Sequence, residues 1–141
     1  MTTPDEGRDT FTFLTYTWDV TAAARLAAEE PVRTFEVQSA LQLLPFVRVD
    51  QAHAATVDLT EPVLLAYLKE VGSPLVIDGW HRVWRAWDTG VRTLPCRLLT
   101  ETQEAQVRLY GGDKGLPPRA ARRARLLEER GARLEEAARG D

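Results

Sequence analysis

The sequence predicts an α+β domain, a small mixed β-sheet flanked by helices, with a charged helix at its C-terminal end. Strand-like segments rich in β-branched and aromatic residues alternate irregularly with segments of helical periodicity, and the connections between them are short. A Gly/Pro stretch, "GGDKGLPP", then leads into "RAARRARLLEERGARLEEAARG", a charged helix that reads as an appendage. A length of 141 residues with 44% hydrophobic composition is enough for one core. The division expected is a disordered end over 1–9, one domain over 10–112, and a linker with its helix over 113–141.

In chain order, "FTFLTYTW" alternates Phe11, Phe13 and Thr15 against Thr12, Leu14 and Tyr16, which predicts one strand. Asp19 stands where it can N-cap "VTAAARLAAEE", a helix that ends before Pro31 because a residue preceding proline avoids helical angles. "VRTFEVQ" alternates again and predicts a second strand; a short helix through 41–44 follows, ended by Pro45. The next stretch, "FVRVDQAHAATVDL", reads equally as one or two short strands or as an irregular excursion. Thr60 is placed to cap a helix over "EPVLLAYLKEVG". There Val63, Leu64, Tyr67, Leu68 and Val71 share one face, Pro62 is tolerated in the first turn, and Gly72 closes the end. "PLVI", bounded by Pro74 and Gly79, predicts a buried strand, "WHRVWRAWDT" a helix stopped by Gly90, and "LPCRLL" a further strand. Thr100 and Gln103 form a capping box that opens the helix "ETQEAQVRLY".

Charge and composition narrow the function. The formal charge of -3 argues against a protein that coats nucleic acid with its whole surface. Residues 116–141 hold seven Arg against five acidic residues, a net +2, which leaves -5 for the rest. Within that tail Arg119, Arg122, Arg123 and Arg125 are candidates for phosphate contacts with nucleic acid. Acidic residues follow directly, and Leu126, Leu127 and Leu134 draw a narrow apolar line suited to docking on the body or to a homodimer. The N-terminal segment lacks the basic and apolar parts of a signal peptide, and no apolar run reaches the ~18–20 residues that span a bilayer. A cytoplasmic protein without membrane contact is expected. The single cysteine, Cys96, excludes an internal disulfide and a cysteine-rich zinc site, and reads as a small core hydrophobe. His53 and His81 have no metal-ligand spacing to join, so no metal site is assigned. Ser39 and Ser73, the only serines, lie outside a Gly-x-Ser-x-Gly elbow, and there is no P-loop.

The chemistry concentrates in the strand–glycine–helix turn "VIDGWHR". A helix start presents unpaired amides and the positive end of the helix dipole, and Gly79, without a Cβ, lets an anion approach the backbone. Arg82 in the first helical turn is disfavoured by about 0.3–1 kcal/mol unless an anion lies beside it. With a phosphate present the guanidinium fork would match two oxygens, and His81 would add a donor or relay a proton. Asp78 reads in two ways: as the N-cap of the helix, or as a group that orients His81 or holds magnesium beside a phosphate. The turn also reads as a packing device, with Trp80, Val83, Trp84 and Trp87 at helical spacing as a core stripe.

Over "VIDGWHRVWRAWDTGVRTLPCRLL" the chain resembles the ParB/sulfiredoxin superfamily, in which an apolar strand runs into Gly-x-x-Arg at a helix start. The ParB form is Gly-Glu-Arg-Arg and the sulfiredoxin form Gly-Cys-His-Arg. Gly79-Trp80-His81-Arg82 is closer to the second, and Ala86, Gly90 and "LPCRLL" continue the pattern. The preceding "LLAYLKEVGSPLVI" is similar to the helix, glycine and proline-led strand of that superfamily. The resemblance covers roughly 60–100 and leaves 1–59 unplaced. It implies a small sheet-and-helix fold whose turn binds nucleotide phosphates through Gly79, Trp80, His81 and Arg82. Trp80 stands where sulfiredoxin has its cysteine nucleophile, which excludes sulfinic acid reduction, and where ParB has its glutamate. No separate helix-turn-helix is present.

The function expected is therefore binding of a nucleotide or other phosphorylated ligand at this turn; the cofactor is left open, a nucleoside triphosphate with magnesium being the candidate. An enzymatic version would be phosphoryl transfer or phosphoester hydrolysis with Asp78 or His81 as general base. The alternative is a non-catalytic interaction or DNA-associated protein that retains the fold.

Overall fold

The computed structural model describes residues 9–139. Its class is mixed α and β, as expected, but the strands form two sheets where the sequence predicted one. The segment expected as one N-terminal strand is a hairpin of β1 (Thr10–Phe13) and β2 (Tyr16–Asp19), turned at Leu14, which takes a left-handed φ of 55°. Asp9, expected to be disordered, donates its amide to the Thr21 hydroxyl and accepts from the Val20 amide, both at 2.9 Å. Residues 1–8 of the expected disordered end lie outside the described residues.

Asp19 accepts from the Ala22 amide and caps α1 (Val20–Ala27), as its position predicts. β3 (Arg33–Glu36) follows. The helix expected through 41–44 is replaced by two 3-10 turns, Val37–Ala40 and Leu44–Phe46, and Pro45 sits inside the second rather than ending a helix. The ambiguous stretch contributes no strand. It holds α2 (Gln51–Ala54), capped by the Asp50 carboxylate on the amides of Ala52 and His53.

The largest correction concerns 60–72, which is not a helix. Val63–Leu68 is β4, paired antiparallel with β5 (Ser73–Asp78), and the turn between them closes at Gly72. Thr60 caps nothing; its amide and hydroxyl both donate to Asp58, at 2.8 and 2.6 Å. The resemblance drawn over "LLAYLKEVGSPLVI" therefore does not extend to its helix. The apparent helical face misled because Leu65 and Ala66, off that face, are as buried as Val63 and Leu64, whereas Val71, on it, is 65% exposed. A segment apolar on both sides is what a central strand requires. β4 lies between β5 and β6 (Thr93–Leu99), parallel to β6, in a sheet of order β3-β6-β4-β5.

β5 leads through Gly79 into α3 (Trp80–Thr89), which ends at the left-handed Gly90 as expected. The capping box of Thr100 and Gln103 opens α4 (Glu101–Val107), but that helix stops short of its expected end. Arg108–Tyr110 is β7, which joins β1 and β2 in the smaller sheet. The reason lies at Arg108, a nearly fully buried side chain. Its Nε donates to Glu104 Oε1 at 2.6 Å, and Nη1 and Nη2 donate to the two Glu70 oxygens at 2.7 and 3.0 Å. Trp18 Nε1 donates to the same Glu104 oxygen at 3.0 Å, and the Tyr16 ring lies 5.2 Å from the guanidinium carbon. These bonds hold the end of α4 to the hairpin and to the β4–β5 turn.

The Gly/Pro linker is partly ordered by a 3-10 turn, Gly112–Lys114, with Lys114 Nζ donating to the carbonyls of Ala105 and Arg108. Beyond it runs α5 (Pro118–Arg139), the charged helix the sequence predicts. Leu126, Leu127 and Leu134 are exposed, so docking of that apolar line on the body is not what forms. No helix among the described residues is long and apolar enough to cross a membrane. Trp18, Val63, Ile77, Val83, Leu94 and Leu99 are the largest fully buried side chains, and they centre the core under β4, β5 and β6. Cys96 belongs to this core as predicted, and burial pushes its thiol up, which leaves it a poor nucleophile.

Candidate anion-binding cleft at the Gly79 turn

β5 ends at Asp78, and the chain reverses at Gly79 with φ 102°. A Cβ added there would stand 2.8 Å from Val63 Cγ1 and 3.3 Å from Val63 Cα. Glycine is thus required twice, by the left-handed backbone and by the close approach of β4. Asp78 does not cap α3, which corrects the reading of that residue as the N-cap: no side chain satisfies the helix start. The first amides of α3 have no acceptor within the helix, and Gly79, Trp80 and His81 at that start line a cleft.

The aromatic stripe divides. Trp80 is buried and donates Nε1 to the Val76 carbonyl at 2.7 Å, so its ring packs beneath the turn; as a ligand contact it can offer only backbone. Val83 and Ala86 are buried with it, Trp84 is half-buried, and Trp87 is exposed. The stripe is therefore core at its N-terminal end and surface at its C-terminal end.

Arg82 does not play the part expected of it. Its Nη1 donates to the carbonyls of Glu61, at 3.0 Å, and Pro62, and Nη2 lies 3.8 Å from Asp78 Oδ2. The side chain is 16% exposed and faces the segment that enters β4, not the opening at Gly79. Arg85, one turn on, likewise donates to the Val57 carbonyl. Carbonyl dipoles and a nearby carboxylate thus explain an arginine in the first turn of a helix, where an anion was expected. Asp58, in the same segment, is held below the usual carboxylate range by its bonds from Thr60, with a smaller contribution from Arg82 and Arg85.

A cleft of about 580 Å³ opens beside the turn. It is lined by Asp78, Gly79, Trp80 and His81 at the turn, by Arg25 from α1, by Asp9, and by Arg48 from the irregular stretch. Phe11 and Ile77 supply apolar lining. Both arginines are exposed, and neither guanidinium bonds to a described residue. Two cations, two carboxylates (Asp9 and Asp78) and the start of α3 therefore share one concavity. Sequence reasoning missed Arg25 because it lies in an alanine-rich helix far along the chain, and Arg48 because its segment has no period. The hairpin that folds Phe11 against α1 had no signal beyond alternation.

The cleft contains the expected Asp78, Gly79, Trp80 and His81, but not Arg82. His81 Nε2 accepts from the Asp50 amide at 3.2 Å, and its ring meets that of His53 edge-on with centroids 4.8 Å apart. Burial, and then the proximity of His53, lower its pKa, against the opposing pull of Asp50 and Asp78. The ring is thus neutral with its proton on Nδ1, because Nε2 is an acceptor. It is suited to donate to a ligand and poorly suited to act as a base through Nε2. Asp78 is the other candidate base lining the cleft; its side chain is 45% exposed and lies 3.8 Å from Arg82 Nη2.

A second groove, about 680 Å³, lies at the other end of α3 and is lined by Trp87, Val91, Arg92 and Leu41, among others. Although it is larger, it sits at the C-terminal end of the helix, where the dipole is negative and repels anions. Among the described residues no group of three or more His, Cys, Asp or Glu is arranged to hold a metal ion. The side chain of Arg119 lies outside the described residues, whereas Arg122, Arg123 and Arg125 are exposed on α5 and do not line the cleft. Compared with known protein families, characterised proteins and solved structures, the chain has no significant match.

Proposed function

We propose that this chain is a ParB/sulfiredoxin-like domain that binds a nucleotide or another phosphorylated small molecule in the cleft at the Gly79 turn. One observation carries the reading: the start of α3, Arg25, Arg48 and His81 line a single cleft of about 580 Å³. Backbone amides and two guanidinium groups are the donors that phosphate oxygens require, and the apolar side at Phe11 and Ile77 suits a base or another flat group. The phosphate contacts are then Gly79, Trp80 through its backbone, His81, Arg25 and Arg48. Arg82 positions the turn. Asp9 and Asp78 both line the cleft and are the carboxylates that would hold magnesium beside phosphate oxygens. When bound, magnesium would supply charge neutralisation on those oxygens. An enzymatic form of this function is phosphoryl transfer or phosphoester hydrolysis with Asp78 as the base.

The test is thermal unfolding against ATP, CTP, GTP and inorganic phosphate. A ligand present at about 100 times its Kd stabilises the fold by about 2.7 kcal/mol. The expected outcome is a concentration-dependent rise in Tm that is lost in Arg25→Ala and Arg48→Ala. No rise with any of the four ends the proposal. It would favour the second reading, a non-catalytic interaction protein, which the solvent-facing α5 supports.

A further inference from the structure

α5 runs for 22 residues, and every described side chain from Arg122 to Ala138 is exposed. None of its described side chains belongs to the core cluster. Helices in proteins owe most of their stability to the packing of one face. The sequence supplies such a face. Ala120, Ala124, Leu127, Gly131, Leu134 and Ala138 follow one another at alternating spacings of four and three, the d and a positions of a heptad. Leu127 and Leu134, both at d, are 61% and 67% exposed.

Charge selects the partner and its direction. With that register Arg123 and Arg130 take g positions, and Glu128 and Glu135 take e positions. In a parallel pair of such helices each g residue faces the e residue five places on in the other chain. Arg123 then meets Glu128 of the second copy, and Arg130 meets its Glu135. In an antiparallel pair g faces g and e faces e, which would set Arg against Arg and Glu against Glu. We propose that α5 forms a parallel two-stranded coiled coil with a second copy of this chain. Leu127 and Leu134 at d supply the apolar knobs of the seam. Small residues at every a position keep the buried area modest, so the dimer exchanges with monomer on dilution.

The test begins with sedimentation equilibrium of the full chain over a range of concentrations, where a monomer–dimer equilibrium is expected. Leu127→Glu with Leu134→Glu abolishes the dimer and leaves the fold intact, because neither side chain touches the core. Arg123→Glu with Arg130→Glu weakens association, and adding Glu128→Arg with Glu135→Arg restores it. Direction is read with Ala120→Cys under mild oxidation. In parallel helices position 120 meets itself and a covalent dimer forms, whereas antiparallel helices separate the two by about 27 Å at 1.5 Å per residue. Wild type, whose Cys96 is buried, forms none. A chain that stays monomeric at every concentration overturns the proposal, as does a dimer that survives Leu127→Glu with Leu134→Glu. A dimer that Ala120→Cys does not cross-link overturns the parallel register.

Discussion

The hub at Arg108 and the cleft at Gly79 use arginine in opposite ways. Arg108 is buried, and its donors are taken by Glu70 and Glu104 under the Tyr16 ring. Those partners raise its pKa further above the ordinary arginine value, the bonds to Glu70 leading. Arg25 and Arg48 are exposed, and their guanidinium groups bond to no described residue. A satisfied buried cation holds elements together, and an unsatisfied one at a concavity is available to a ligand. Arg82 belongs with Arg108 in this respect, even though it lies in the functional motif.

The largest effect expected from this contrast is at the hub. Arg108→Met leaves Glu104 charged in a buried position, and breaking such a pair costs about 3–5 kcal/mol. Urea denaturation should show that loss as a fall in midpoint with an unchanged slope. Adding Glu104→Gln removes the stranded charge and should recover part of it. If Arg108→Met costs less than about 1 kcal/mol, the hub is not what fixes α4 and β7.

The next effect separates the three arginines near the turn. Arg82→Ala leaves the carbonyls of Glu61 and Pro62 without their donor, a loss of about 1–3 kcal/mol of stability. Phosphate affinity, measured by calorimetry well below the melting range, should hardly change. Arg25→Ala and Arg48→Ala should do the reverse, with stability within about 0.5 kcal/mol of wild type and affinity reduced. If Arg82→Ala abolishes binding while the fold persists, the assignment of roles at the turn is wrong.

How much of this was legible depended on whether the signal was local. The Asp19 cap, the Thr100–Gln103 capping box, Gly90 and the strand–Gly79–helix turn are decided by residues within a few places of one another, and each stands where the sequence puts it. β4 was misread because a short apolar run fits a helical face until the strands on either side of it are known. β7 was misread because the Glu70 and Trp18 that tie Arg108 down are 38 and 90 residues away along the chain, read from Arg108. The cleft followed the same division. Gly79 and His81 could be found from the motif, whereas Arg25 and Arg48 reach it only through tertiary structure, and the destination of the Arg82 guanidinium was set by two carbonyls that carry no mark in the sequence.

The smallest effect is also the most discriminating, because it should change sign when a ligand is present. His81 is held neutral in the fold by burial and by His53, with Asp50 and Asp78 opposing. Its folded pKa lies below the unfolded value near 6.5, so the unfolded chain binds the proton more readily. The contribution of His81 to stability is therefore complete above that unfolded value and is lost as pH falls from it through the folded pKa. Protonation also removes the Nε2 acceptor of the Asp50 amide, which loosens α2 from α3. A bound anion would act in the other direction, since an imidazolium beside it is favoured. Sulfate is a suitable probe because it stays doubly charged from pH 7.5 to 5.5. Without it, wild type should lose stability over that range relative to His81→Gln. With it, binding should tighten as pH falls, and the pH dependence of the stability difference should flatten or reverse. A sulfate affinity that does not change with pH, alongside the expected fall in stability without the ion, would place His81 in the packing of α2 on α3 and outside the ligand's reach.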